Sequence, residues 1–259
     1  LFYLIISSIV NLILDIIFIA GFKTGVGGAA LATVISQIIS ALLCFIQLIR
    51  TDESYRLQIK KIRFHKNILI QILKIGLPSG VQNSIIAFAN VIVQSNINAF
   101  GEMAMAGYGA YTKIEGFGFL PINSFTMALT TFISQNVGAE NYERAGILVT
   151  VILAELIGIV VFIFAPQMIA AFDSTPEVIK FGIEKSRTAA LFYFLLAYSH
   201  SVSAIFRGVG KTVIPMIIMI LFWCIVRVAF LSITIPITKS IQMVYWVYPL
   251  TWGLSSIVF

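Results

Sequence analysis

About eight runs of apolar residues, each roughly 20 long or longer, follow one another along the chain. They lie near residues 1–20, 26–49, 77–100, 104–134, 146–171, 188–206, 213–236 and 241–259. A helix needs about 20 such residues to cross a hydrocarbon core of roughly 30 Å, and within lipid its backbone must bond to itself. The chain is therefore expected to be all-α, a polytopic membrane protein of about eight transmembrane helices. With 59% hydrophobic and 11% charged residues over 259 positions, a soluble domain is excluded.

The cations set the orientation. The segment from Arg50 to Lys74 holds Arg50, Arg56, Lys60, Lys61, Arg63, Lys66 and Lys74, which assigns it to the cytoplasmic side. Alternation then puts Arg144, Arg207 and Lys211 on that side and Lys23, Lys180, Lys185, Arg187 and Lys239 outside. The formal charge of +6 needs no nucleic-acid partner. This loop also separates lobes. Residues 1–49 read as the last two helices of one lobe, 50–75 as a basic linker with a short amphipathic surface helix, and 76–259 as a six-helix bundle. The start at Leu1 and the stop at Phe259 inside an apolar run read as a piece of a longer chain with about four further spans, two lobes of six in all.

Soluble chemistry finds little support. Cys44 and Cys224 lie far apart inside spans without ligand spacing, His65 and His200 are isolated, and RGVGKT at Arg207–Thr212 has Ile205 where a phosphate-binding loop needs glycine. No enzyme, metal site or cofactor is expected.

Polar residues inside the spans carry the functional signal, because an ionisable group at bilayer depth costs roughly 2.5 to 3.5 kcal/mol and normally lines a polar path. Ser8, Asn11 and Asp15 share one face of the first span. Asn83, Asn90, Gln94 and Asn98 form a stripe along the third, as interhelical bonds or as the wall of a cavity. Lys113 and Glu115, two apart, face different ways on the fourth span, and Arg227 stands alone on the seventh. Pairing of Arg227 or Lys113 with Glu115 or Glu155 is expected, and Pro121, Gly116 and Gly118 are expected to loosen the fourth span so that free backbone groups line a cavity.

The strings NLILDIIFI, GVGGAALATVISQ, GLPSGVQN, MAGYGAYTKIEGF, SQNVGAENYERA and IFRGVGKTVIP, in this order, resemble the multidrug and toxic compound extrusion (MATE) transporters over nearly the whole chain. By that resemblance the chain corresponds to the fifth to twelfth of twelve spans. It implies an antiporter in the cytoplasmic membrane that exports drugs, organic cations or other small amphipathic compounds in exchange for H⁺ or Na⁺ by rocking between two states. Asn11, Asp15 and Thr33 match residues of the family's N-lobe ion site. A C-lobe glutamate found in another branch is replaced by Ile86. The substrate cavity would then be formed by Asn83, Asn90, Gln94, Lys113, Glu115 and Arg227. The partners implied are small substrates, the lipid bilayer and the N-terminal spans of the same protein.

Two other classes remain open at this level. A lipid-linked oligosaccharide flippase of the same superfamily would need several arginines facing a cavity to hold pyrophosphate. A non-transporting membrane scaffold would need no intramembrane Asp15.

Overall fold

The computed structural model describes residues 2–53, 56–140 and 148–259. Arg144 and residues 141–145 of the SQNVGAENYERA string lie outside the described residues. Every regular element among those described is helical. Among the described residues seven helical stretches are long and apolar enough to span a bilayer, which makes the chain a multi-pass membrane protein. The contacts divide it into two units, Leu1–His65 and Lys66–Phe259.

The first unit is a helical hairpin of α1 (Phe2–Asp15) and α2 (Gly25–Arg50). Past Asp15 the helix widens into a π-helical turn, Ile16–Gly21, and the chain reverses through Lys23 and Gly25, both at positive φ. Thr24 closes the reversal by donating its hydroxyl to the Phe18 carbonyl at 2.7 Å. Gly28, Ala32 and Ser36, four residues apart, are the buried residues of α2. Their small side chains let α1 approach closely, and the Ser7 hydroxyl reaches the Ser36 carbonyl at 2.7 Å. After α2 the chain folds back, and Arg56 Nε donates to the Ile49 carbonyl at 3.0 Å. A cation there also answers the negative end of the helix dipole.

The second unit packs α3 (Lys66–Asn98), α4 (Glu102–Gly138), α5 (Leu148–Ala170), α6 (Pro176–Ala189), α7 (Tyr193–Gly208), α8 (Val213–Ile220), α9 (Arg227–Thr238) and α10 (Ile241–Val258). A π-helical turn, Leu221–Val226, joins α8 to α9 as one span. Residues 66–75, read above as part of a separate surface helix, are the first turns of α3. Pro121 does not break α4, which runs for 37 residues, or about 55 Å. In apolar surroundings a freed carbonyl is costly, so the helix gives up only the bonds that proline removes. The last helix, Ile241–Val258, forms in the expected place but falls outside the seven apolar spans, since Gln242, Tyr245, Tyr248, Thr251 and two serines dilute it.

The largest departure concerns residues 176–187, which hydropathy leaves between spans. They begin α6, with Pro176 at its first turn, and continue through a 3-10 turn at Ala190–Phe192 into α7 as one stretch, Pro176–Gly208. Before it, the Thr175 backbone N–H donates to Asp173 Oδ1 at 2.8 Å, and this bond holds that exposed carboxyl below the usual aspartate range. Glycines bring α6 against α4. A Cβ on Gly107 would stand 2.6 Å from the Val178 carbonyl oxygen, and one on Gly182 would stand 3.2 Å from the Gly107 carbonyl oxygen and 2.7 Å from Ile169 Cδ1 of α5. That approach brings the α6 residue Lys185 within 5.8 and 5.6 Å of the Tyr108 and Tyr111 ring centroids of α4.

Candidate functional site: a charged aromatic cavity in the second unit

The second unit holds a cavity of about 220 Å³ bounded by α3, α4, α7, α10 and the α8–α9 span. Its polar wall is Asn90 and Gln94 from α3, Thr112 and Glu115 from α4, and Arg227 at the start of α9. Its apolar wall is largely aromatic: Tyr108, Phe119, Trp223, Tyr248 and Trp252. Glu115 lies 13 residues into α4 and Arg227 14 residues beyond Val213, each about 20 Å along its span. Arg227 thus stands near the middle of its apolar stretch, and Glu115 about a third of the way along the longer α4.

Arg227 is 2% exposed. Its Nη1 donates to Asn90 Oδ1 at 3.1 Å and its Nη2 to Thr251 Oγ1 at 3.0 Å, while Nε is buried without a partner. A guanidinium has five N–H donors, so three remain without a protein acceptor. Its carbon lies 4.6 Å from the Tyr248 ring centroid and 5.7 Å from that of Trp223. Trp223 is fixed in turn by its Nε1, which donates to Ser255 Oγ at 3.0 Å.

Behind the Tyr108 and Tyr248 wall stands a second cation. Lys185 is fully buried, and its Nζ has no hydrogen-bond partner. It lies 3.4 Å from the ring centroid of Tyr248, and 5.8, 5.6 and 5.8 Å from those of Tyr108, Tyr111 and Tyr245. The negative faces of four rings take the place of a carboxylate. The Tyr108 and Tyr248 hydroxyls are 2.6 Å apart, which ties two of those rings together. Tyr111 links the cage to the carboxyl group: its hydroxyl donates to Glu115 Oε1 at 3.1 Å and lies 2.8 Å from the Tyr193 hydroxyl. Tyr111 has one proton to give, so the order runs from Tyr193 to Tyr111 to Glu115.

The cavity therefore gathers Asn90, Gln94, Glu115 and Arg227 from the residues chosen on sequence. It does not include Asn83, which is exposed and lies a turn nearer the start of α3 than the lining residue Ile86. Nor does it include Lys113. Two positions from Glu115 on a helix is close to half a turn, and Lys113 is exposed with its Nζ 5.4 Å from the Phe172 ring. The expected ion pairs do not form. Among the described residues the one ion pair is Arg56 Nη1 to Asp52 Oδ1 at 3.8 Å, and Arg227 is held by an amide, a hydroxyl and two rings instead.

Lys185, assigned above to the outer side as a loop cation, is the main residue that the sequence reading missed. A signal exists: Val178, Gly182, Lys185, Ser186 and Ala189 are the buried positions of α6, with helical spacing, and Tyr108/Tyr111 and Tyr245/Tyr248 are two pairs three residues apart.

In the first unit, Asn11 Nδ2 and Asp15 Oδ1 are buried without hydrogen-bond partners, and Asp15 ends the α-helix where the π-helical turn begins. Single π turns occur often at functional sites. Thr33 is exposed, and its hydroxyl bonds to the Ala29 carbonyl of its own helix at 3.0 Å.

A family model described as MatE matches residues 78–233. The "Probable multidrug resistance protein YoeA" of Bacillus subtilis is 26% identical over 269 aligned positions, covering 97% of this chain and 58% of that protein. The "Probable multidrug resistance protein NorM" of Thermotoga maritima is 27% identical, covering 82% and 48%. The chain thus spans about half the length of the curated relatives it matches. Among solved structures, MATE in complex with MaL6 superposes with a TM-score of 0.88 at 26% identity, over 99% of this chain and 60% of that one. A MOP superfamily transporter from Pyrococcus furiosus does so with a TM-score of 0.89 at 25% identity, again over 99% and 60%. With more than half its length matched by the family model and its helical fold shared with solved MATE structures, this chain belongs to the MatE family.

Proposed function

We propose that the chain is part of an exporter of drugs or other small amphipathic compounds across the cytoplasmic membrane, driven by H⁺ or Na⁺ and working by alternating access. The observation that carries this reading is the cavity itself: Arg227, Glu115, Asn90 and Gln94 converge among aromatic rings inside membrane-spanning helices, where unshared polar groups are kept for transport or signalling. In this reading the second unit receives substrate. Asp15, with Asn11 and Thr33, carries the coupling ion, and the partnerless Asp15 Oδ1 and Asn11 Nδ2 support that role. A carboxyl group can exchange a proton between states or, joined by amide and hydroxyl oxygens, offer ligands to Na⁺. The remaining spans would come from the same protein, since its relatives are about twice as long. The basic segment from Arg50 to Lys74 would lie on the cytoplasmic side. No enzymatic step is required.

The test is solute movement in inside-out vesicles containing the parent protein, using fluorescent amphiphiles of both charge signs. Uptake is expected when a proton or sodium gradient is imposed and is expected to stop when the matching ionophore collapses it. Uptake indifferent to both ionophores would overturn the coupling.

A further inference from the structure

The charges in and behind the cavity do not balance. Arg227 lines it with three uncommitted N–H donors, Lys185 stands behind the Tyr248 ring, and Glu115 is the carboxyl group in the lining. Glu184, beside Lys185 on α6, lies outside the lining and accepts from Gln242 Nε2 at 3.1 Å. Lys185 lies outside the lining too, but its Nζ is 3.4 Å from the lining ring of Tyr248, whereas Glu184 is half-buried and engaged by Gln242, so across the cavity wall Arg227 and Lys185 face one carboxyl group. A guanidinium keeps its charge in proteins. Tyr248 is shared by both cations, at 3.4 Å from Lys185 Nζ and 4.6 Å from Arg227 Cζ, so its electron density is already committed. Its ring is poorly placed to attract a third cation. Trp252, in contrast, lines the cavity with no cation on its ring among the described residues.

We propose that this cavity takes an amphipathic anion, an aromatic carboxylate, with the carboxylate on the free edge of Arg227 and the aromatic part against Trp223 and Trp252. The proposal rests on reading the cavity as the substrate site, and it departs from the organic cation implied by family resemblance. The fork of a guanidinium matches a planar carboxylate, and a low-dielectric wall strengthens that match. A monovalent organic cation entering the same cavity would meet Arg227 directly and Lys185 behind one ring, with Glu115 alone to offset them.

The experiment compares two probes of the same ring system, 2-naphthoate and 2-naphthyltrimethylammonium, binding to the whole 259-residue chain in lipid nanodiscs. The chain has three tryptophans, so a Trp246→Phe background leaves Trp223 and Trp252, both in the cavity wall, to report binding by quenching. Naphthoate is expected to bind at least tenfold more tightly than the ammonium probe. Arg227→Gln should lower naphthoate affinity at least tenfold. Lys185→Met, which changes no lining residue, should lower it severalfold and leave far-UV circular dichroism unchanged. Equal or tighter binding of the ammonium probe would overturn the polarity while leaving the cavity a ligand site. Saturable quenching by neither probe would overturn both the polarity and the cavity reading. A naphthoate preference that persists in Arg227→Gln and in Lys185→Met would remove those cations from the site.

Discussion

The tyrosine cage predicts a specific energetic coupling between Lys185 and Tyr248. Replacing Tyr248 with Leu removes three things at once. Its hydroxyl contact with Tyr108 at 2.6 Å is lost, leaving a buried hydroxyl unpaired at a cost of about 1–3 kcal/mol. The smaller side chain leaves a void, about 1–2 kcal/mol more on the scale of large-to-small core changes. The ring face 3.4 Å from Lys185 Nζ is also lost, worth about 2 kcal/mol for a desolvated cation. The first two costs recur when Lys185 is already Met; the third does not. A double-mutant cycle of Tyr248→Leu with Lys185→Met should therefore return a coupling of about 2 kcal/mol. Tyr248→Phe keeps the ring and should couple to Lys185→Met only weakly. Lys185→Met alone should be neutral or stabilising, because the ammonium has no hydrogen-bond acceptor to lose and its burial is costly. Reversible unfolding in mixed micelles by increasing SDS, followed by far-UV circular dichroism, gives all four corners. A coupling below about 0.5 kcal/mol, the ordinary error of additivity, would refute the cage as the partner of Lys185.

Three further outcomes follow from individual contacts. Gly107→Ala should cost about 1–3 kcal/mol by overpacking, since its Cβ would meet the Val178 carbonyl at 2.6 Å, whereas Gly109→Ala, with open space around it, should be neutral or slightly stabilising in the same assay. Single cysteines at Asn90 and Gln94, in a background without Cys44 and Cys224, should react with a hydrophilic thiol reagent in at least one transport state; protection in every state would make the stripe a helix contact instead of a cavity wall. Asp173 should titrate below the ordinary aspartate range by carbon-detected NMR, so the loop before α6 should be tied down above that range and loosen as acid protonates the carboxyl group, and an ordinary or raised value would discount the Thr175 bond.

The sequence showed most of the membrane helices because an apolar run of about 20 residues has few other uses. It failed at α6 because Glu177, Lys180, Glu184, Lys185 and Arg187 lower the hydropathy of a helix whose buried stripe nevertheless includes Lys185. Averaged hydropathy cannot register that four tyrosines from two other helices will surround one ammonium. The site was half legible for the same reason. Asn90, Gln94, Glu115 and Arg227 stand out as polar residues in apolar runs, but Tyr108, Trp223, Tyr248 and Trp252 look like any aromatic residue of a membrane helix until packing brings them together. Lys113 looked equivalent to Glu115 by composition and was separated from it by helix rotation. The π-helical turns beside Asp15 and Arg227 depend on the local hydrogen-bond ladder and leave no residue pattern to read.

In the proposed division of labour Asp15 carries coupling and the cavity around Arg227 contacts substrate. That division is tested most directly by gradient-driven uptake of a transported fluorescent amphiphile into inside-out vesicles carrying the parent protein with Asp15→Asn, alongside substrate binding to the same purified variant. The amide keeps the shape of the side chain but cannot cycle a proton, so uptake should fall to background while expression and binding stay near wild type. Uptake at the wild-type rate would contradict coupling through Asp15, and loss of binding together with uptake would contradict the separation of the two sites.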